Sequence, residues 1–528
     1  MASLMALVVL AALVSVSDLR ISPYDGPPFI NGPMRLLLDA STDLGPAQGT
    51  QVQLTASLHD ARRPETLIGW ARDHDLTVRW RPGDDWAILT GTPGAVSHAF
   101  DVEVHDYRGR RGQEFYASPQ QPQVPAGLSD EVDELGRILS YTPHHNSTPH
   151  MFPLDVPDRA LSPSALLTAY NATPLSNAGF TGKGITVVIF AFDGFDQADL
   201  DLFSSTFGLP QFTPEVVGGQ PGEPGAELTM DLEVVHAIAP DARKVVVNAR
   251  PTVQDGGGYA KIGELFEDTD KRYPGAVWSL SIGWGCDKLI TAADLAPVQS
   301  AVRLAQSHGT AAFNASGDLA GLECKGGDDW DSPPGESDVG LDSVASIPEM
   351  TAVGGTTLST DSAGVWIAEP AWFDVPLSQG TGGGASSLFD MPDWQQNAAS
   401  VLDSAQSKGK RLVPDIAAVA DSATGVKIVM SQQVFAGGGT SQSAPIWAGF
   451  AAVMNQYLLA NGGALIGEFN PLLYRIAQGA PWPAFRDVTL GGNAVASAGP
   501  GYDMASGLGT PDVDNLARNI LLLQRTSL

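Results

Sequence analysis

Basic residues are scarce in this chain: 30 Lys and Arg stand against 59 Asp and Glu in 528 residues, a net charge of −29. A surface so acidic repels phosphate backbones and anionic lipid headgroups, which argues against nucleic acid or a membrane surface as partner. The excess of carboxylates also suits acidic surroundings, where protonation relieves self-repulsion. Long hydrophobic runs are missing too. The apolar stretch Leu4 to Val16 is too short to span a bilayer but suits a secretory signal over residues 1–17, with Ser15 and Ser17 framing a cleavage site and no Lys or Arg before Arg20. A secreted, extracellular protein is the expectation. Cysteine is nearly absent; Cys286 and Cys324 could form one disulfide or remain buried thiols, and the sequence leaves both open. What is present is 43% hydrophobic residues and only 17% charged ones, the composition of a folded protein long enough for two or three domains.

Residues 51 to 107 read as strand, helix, strand, strand, helix, strand: Gln51 to Leu58, Pro64 to Asp73, Thr77 to Arg81, Trp86 to Thr92, Pro93 to Phe100 and Val102 to Tyr107. That order predicts a ferredoxin-like α+β unit, a small antiparallel sheet with helices on one face, over residues 34–115. Residues 116–160 are rich in Pro, Gln, His and Ser and predict a linker open to proteolysis. Residues 161–528 alternate apolar strands with helices, which predicts an α/β domain built on a parallel sheet covered on both faces. The strand candidates are Ile185 to Phe190, Lys244 to Asn248, Val277 to Ile282, Ala311 to Ala315 and Lys427 to Met430. Histidine divides unevenly: seven of nine lie in the first 160 residues, which also contain no lysine, and the large domain keeps only His236 and His308.

Gly437-Gly438-Gly439-Thr440-Ser441-Gln442-Ser443-Ala444-Pro445 places a hydroxyl at the start of an apolar helix, behind residues without side chains. Backbone N–H groups there can approach a reacting carbonyl, and the helix dipole favours negative charge near Ser441. A serine nucleophile needs a base, usually His. In Glu227-Leu228-Thr229-Met230-Asp231, the two acids are i and i+4 on one helical face, and His236 lies about 180° around the axis at roughly 100° per residue. The acidic pair is therefore the candidate base. His236 reads as a satisfied structural histidine, and His308 as a helix C-cap. Asp318, after the apolar run Ala311 to Ala315, sits at the carboxyl end of a strand, where a protonated carboxyl could donate to an oxyanion.

Together, Gly-Thr-Ser-x-Ser-Ala-Pro, Glu-x-x-x-Asp on an apolar helix ending in Ala239-Pro240, and Ser316-Gly317-Asp318 resemble the sedolisin family of serine-carboxyl peptidases. Leu161-Ser162-Pro163-Ser164, Phe207-Gly208-Leu209-Pro210, Ser281-Ile282-Gly283-Trp284-Gly285 and Thr351-Ala352-Val353-Gly354-Gly355-Thr356 match as well, and the likeness runs from about residue 34 to 515. It implies a subtilisin-like doubly wound sheet in which Ser441 is the nucleophile, Glu227 the base, Asp231 its supporting carboxylate and Asp318 the oxyanion-hole acid. A carboxylate base fits acid operation, because an imidazole is already protonated there. The resemblance also implies one structural calcium ion, held by the side chains of Asp487 and Asp503 and the carbonyls of Val488, Gly499 and Gly501, in keeping with the preference of calcium for oxygen donors. The N-terminal unit becomes an activation prodomain that inhibits its own peptidase domain, with the maturation site in the linker and a monomer acting on polypeptides as the product. Acid protonation of the prodomain histidines is the expected trigger.

This sequence departs from the family pattern at several points. Phe190 stands where many members carry an auxiliary Glu, and Phe192-Asp193 interrupts the usual Gly run. Asp318 is followed by Leu319-Ala320, and Ser343-Val344-Ala345-Ser346 surrounds Asp342, where some members place an acid in a specificity pocket. These differences keep a peptide-binding pseudoprotease in view. Other open readings are a tripeptidyl-peptidase in place of an endopeptidase and a neutral protease using His236.

Overall fold

The computed structural model describes residues 26–49, 51–110, 112–146, 152–153, 160–254, 256–325, 338–374, 379–402 and 407–526. The expected signal segment lies outside them, as do residues 147–151 and 154–159 of the expected maturation region.

In the N-terminal domain, four antiparallel strands stand in the spatial order Thr77–Arg79, Trp86–Gly91, Val52–Leu58, Val132–Leu135. This is the ferredoxin-like arrangement, with one correction: its last strand is Val132–Leu135, not Val102 to Tyr107. His105–Arg108 instead joins Thr42–Pro46 and Glu114–Ala117 in a second, three-stranded sheet. The expected linker from residue 116 therefore begins inside the domain, and its first twenty residues carry ordered elements. Strand alternation separates two faces. Ala87 and Leu89 join Val52, Leu54, Leu67 and Val96 in the domain's own core beneath the helices Glu65–Asp73 and Pro93–Phe100. Trp86 and Ile88 face the other way and pack on Ala260 and Ala296 of the large domain.

Around that contact runs a polar seam. Arg81 meets Glu267 at 2.6 Å, Arg303 meets Asp85 at 3.1 Å, and Arg79 pairs with Glu264. Asp294 accepts from the Arg137 N–H at 3.0 Å, and Glu134 from the Ala293 N–H at 3.1 Å.

The large domain is built on seven parallel strands in the spatial order Glu215–Val217, Arg243–Asn248, Thr186–Ala191, Val277–Leu280, Ala311–Ala315, Thr351–Thr356, Ile416–Val419. Both faces are covered, as continuous apolar strands require. Val187, Ile189 and Ala191 pack with the helices Ala226–Ile238 and Thr440–Ala460; Val188, Phe190 and Phe192 pack with Gly258–Arg272 and Ala292–Ser307. Lys427–Met430 is not part of this sheet. It turns back on Gln433–Ala436 as an antiparallel hairpin whose two turn residues, Ser431 and Gln432, both have positive φ. Asp199 holds that turn by accepting from both backbone N–H groups at 2.8 Å. The progression of strands reverses around Thr186–Ala191, so the carboxyl ends of this strand and of Val277–Leu280 flank the topological switch point where open α/β sheets bind ligands.

Candidate active site

Three elements converge at that switch point. The helix Thr440–Ala460 starts after Gly439, whose φ of +81° and closeness to Asp318 both require glycine; a Cβ there would lie 2.6 Å from Asp318 Oδ2. Asp318 Oδ1 accepts from the Thr440 N–H and the Thr440 hydroxyl, each at 2.7 Å, which ties the end of strand Ala311–Ala315 to the first turn of the helix. Ser441 follows, fully buried. Four residues on, Pro445 lacks the N–H that would ordinarily bond the Ser441 carbonyl. The Ser281 hydroxyl donates to that carbonyl instead, at 3.0 Å.

The helix Ala226–Ile238 supplies the acids. It is buried throughout from Glu227 to Ile238, so its charged side chains have exchanged water for protein. Ser281 Oγ lies 2.9 Å from Asp231 Oδ1. The one hydroxyl hydrogen of Ser281 is shared between two acceptors, the Asp231 carboxyl and the Ser441 carbonyl, which ties the acid helix to the first turn of the serine helix. Burial pushes the Asp231 carboxyl well above the usual range, the Ser281 hydroxyl that donates to it works the other way, and the charge of Asp193 adds to the rise. Glu227 is raised in the same direction, first by burial and then by Asp231, Asp193 and Asp318, while the nearby Ser441 hydroxyl favours its ionised form. Among the described residues, neither Glu227 oxygen has a partner in hydrogen-bond geometry. This is an acid poised opposite a hydroxyl.

The site also holds a piece of the chain itself. His145–Asn146 pairs antiparallel with Ile282–Gly283, immediately after Ser281, and Phe152–Pro153 pairs with Phe435 and Ala436, shortly before the glycine run. The edge strands beside Ser441 thus bind extended peptide through backbone hydrogen bonds on both sides.

Four predicted residues, Ser441, Glu227, Asp231 and Asp318, therefore come together. His236 does not join them: its Nε2 contacts the Pro210 carbonyl at 2.8 Å, its Nδ1 contacts Lys244 Nζ at 2.9 Å, and burial lowers its pKa to about 3. His308 caps the C-terminus of Ala292–Ser307 and contacts Asp270 at 2.7 Å. Phe190 points to the opposite face of the sheet, against Phe266 and Trp278. Asp342 is spent on the backbone N–H groups of Trp284 and Ala345, and burial pushes it up to about 7. Cys286 and Cys324 are bridged, which ties the loop after Asp318 to the loop after Ile282–Gly283.

Sequence reasoning gave no role to Ser281 or Asp193. The signal was the position of each, a polar residue at the carboxyl end of an apolar strand. In the expected calcium loop, Asp503 is buried and accepts from the Gly499 N–H at 3.1 Å, while Asp487 accepts from the Gly501 N–H at 2.9 Å on the same turn. Burial raises the Asp503 carboxyl, and among the described residues no basic side chain bonds to either acid. Two carboxylates without a cation, on a turn rich in carbonyls, fit a hard divalent ion.

The chain is 31% identical over 472 residues to kumamolisin of Bacillus sp. strain MN-32, covering 84% of this chain and 80% of kumamolisin. It belongs to the sedolisin family. The family model of the Pro-kumamolisin activation domain matches residues 51–137 of this sedolisin-family peptidase, and so includes the strand Val132–Leu135. Sedolisin of Pseudomonas in complex with pseudo-iodotyrostatin superposes with a TM-score of 0.56 at 26% identity, covering 68% of this chain and 97% of that one. Tripeptidyl-peptidase 1 of Rattus norvegicus is 27% identical over 462 residues, covering 80% of this chain and 76% of that protein. The chain is accordingly a serine-type peptidase with an activation prodomain.

Proposed function

We propose that this protein is an acid-active endopeptidase made as a zymogen, with Ser441 as nucleophile. Glu227 takes the Ser441 proton as the hydroxyl attacks the peptide carbonyl, then delivers it to the leaving amine. Asp231 is the supporting carboxyl that stabilises the charge on Glu227, and Asp318 in its protonated form donates to the oxyanion. Activity rises with pH as Glu227 ionises and falls as Asp318 does. A protonated histidine could not act as the base in this range.

Internal cleavage is favoured over removal of N-terminal tripeptides by one observation. The chain lies against the cleft edges on both sides of Ser441, at residues 145–146 and again at 152–153, so the cleft accepts a polypeptide that continues in both directions. The deciding assay uses a peptide blocked at its N-terminus: hydrolysis at an internal bond is expected, and cleavage only of the unblocked form, three residues at a time, would overturn the endopeptidase reading. Incubating the precursor from pH 3 to 8 tests the zymogen; loss of about 15 kDa in acid is expected. No loss at any pH, with Ser441→Ala behaving like the parent, would favour a peptide-binding protein.

The calcium proposal is structural. Asp487 and Asp503 with the carbonyls of Val488, Gly499 and Gly501 would hold the ion, which supplies charge balance to the buried Asp503. Chelation should lower the Tm, and an unchanged Tm would remove the site. Export is supported by the disulfide, which persists in oxidising compartments; among the described residues no helix is long and apolar enough to cross a membrane.

A further inference from the structure

We infer that Asp193 is a positioning residue for the catalytic carboxyl pair: it anchors the N-terminus of the helix carrying Glu227 and Asp231 and, through its charge, sets the pH at which Glu227 releases its proton. This rests on Glu227 acting as the base. The helix Ala226–Ile238 has no side-chain cap of its own, because its N-cap is Gly225. Asp193 fills that role from another element: its Oδ1 accepts from the Leu228 N–H at 3.2 Å, and the Glu227 N–H bonds it as well. Gly225 is shaped to this contact, since a Cβ there would stand 1.9 Å from Asp193 Oδ2. The segments are stitched by reciprocal backbone bonds, Gly194 N–H to the Glu223 carbonyl at 2.8 Å and Gly225 N–H to the Gly194 carbonyl at 2.9 Å. Asp193 therefore ties the end of strand Thr186–Ala191 to the first turn of the helix, at Glu227 and the residue after it. A one-residue change there moves the base.

The electrostatic part follows from the groups that face it. Glu227 and Asp231 lie on the capped helix, Arg250 on the turn after strand Arg243–Asn248, Asp318 across the cleft from Glu227, and the His144 ring packs 5.2 Å from Phe192, the neighbour of Asp193. Arg250 and the two backbone donors favour the Asp193 anion; burial opposes it more strongly, to a net value of about 6. Glu227 and Asp231 are buried more deeply and raised in the same direction, and the charge of Asp193 is among the causes for each. That charge holds the other two protonated.

Substituting Asp193→Asn keeps an oxygen acceptor for the helix and removes the charge. In the matured enzyme, the acid-side limb of kcat/KM against pH should move to lower pH by roughly half a unit or more, with the Tm near that of the parent. Asp193→Ala removes the cap too and should reduce kcat about ten-fold or more, as misplacement of a reacting group does. If Asp193→Asn fails to mature, Gly225→Ala displaces the same carboxyl without deleting it and should lower kcat at unchanged KM. The inference is wrong if Asp193→Asn keeps the parental pH profile, or if Gly225→Ala keeps the parental kcat. Failure of the underlying reading looks different: Glu227→Gln would then remain active whatever Asp193 does.

Discussion

At the seam between prodomain and peptidase domain, the acids Glu264, Glu267 and Asp85 face Arg79, Arg81 and Arg303. In the cleft, Glu227 and Asp231 face Asp193, Asp318 and each other. Both regions are rich in carboxyl groups; the seam pairs its acids directly with guanidinium groups, whereas the cleft has the charge of Arg250 near Asp193. Burial in the cleft favours protonated carboxyls, whereas the ion pairs of the seam favour charged ones. Acid therefore acts on the two regions differently. Burial also raises Glu134 and Asp294 at the seam, although Arg137 opposes the shift at both. Of the histidines before residue 160, His59 bonds Ser129, His74 bonds Trp70 and His105 bonds Asp43 within the prodomain, whereas the His144 ring packs on Phe192 of the peptidase domain.

The largest effects should come from the cleft. Ser441→Ala is expected to remove about 10⁴-fold or more of kcat and leave the precursor uncleaved at every pH, and Glu227→Gln should cost about 10³-fold, while His236→Ala stays active. Activity in Glu227→Gln with loss in His236→Ala would reverse the assignment. Asp318→Asn is next, with kcat down about 10²–10³-fold and little change in KM, the scale for one oxyanion donor.

Stability should separate the regions by a few kcal/mol. The raised carboxyls bind protons in the folded state that they would not hold unfolded, so their stabilising contribution is present in acid and is lost as pH rises through about 6 for Asp193 and about 7 for Asp342. The precursor Tm should fall between pH 4 and 8, and Asp342→Asn should flatten that slope; a Tm that climbs over this range would contradict the picture. Smallest of all is the seam. Arg81→Ala should weaken docking by about 1 kcal/mol or less and leave the activation pH where it was, measured by the pH at which half the precursor is cleaved.

Much of the site was legible because its chemistry travels in local patterns. The i, i+4 spacing of Glu227 and Asp231, the glycines before Ser441 and the strand before Asp318 each declare a direction in space. The pieces that escaped depend on partners distant in sequence. Val132–Leu135 is short, with buried residues only at its two ends, and sits among prolines, so nothing local marks it as the edge strand that completes the sheet. Lys427–Met430 has the apolar run of a buried parallel strand; what turns it into a hairpin is Asp199, more than 200 residues earlier, holding Ser431 and Gln432 in a conformation usually left to glycine or asparagine. Ser281 and Asp193 look unremarkable until Pro445 frees a carbonyl for one and Gly225 makes room for the other.

The pairing of residues 145–146 and 152–153 with the cleft edges has a kinetic consequence. On the proposed self-cleavage, a segment tethered on both sides meets the cleft at an effective concentration in the millimolar range, set by chain length and not by how much protein is dissolved. Dilution should leave the half-time of the first cleavage unchanged. Every later substrate, lacking the tether, arrives at its bulk concentration and competes with the departing segment for the same strand edges.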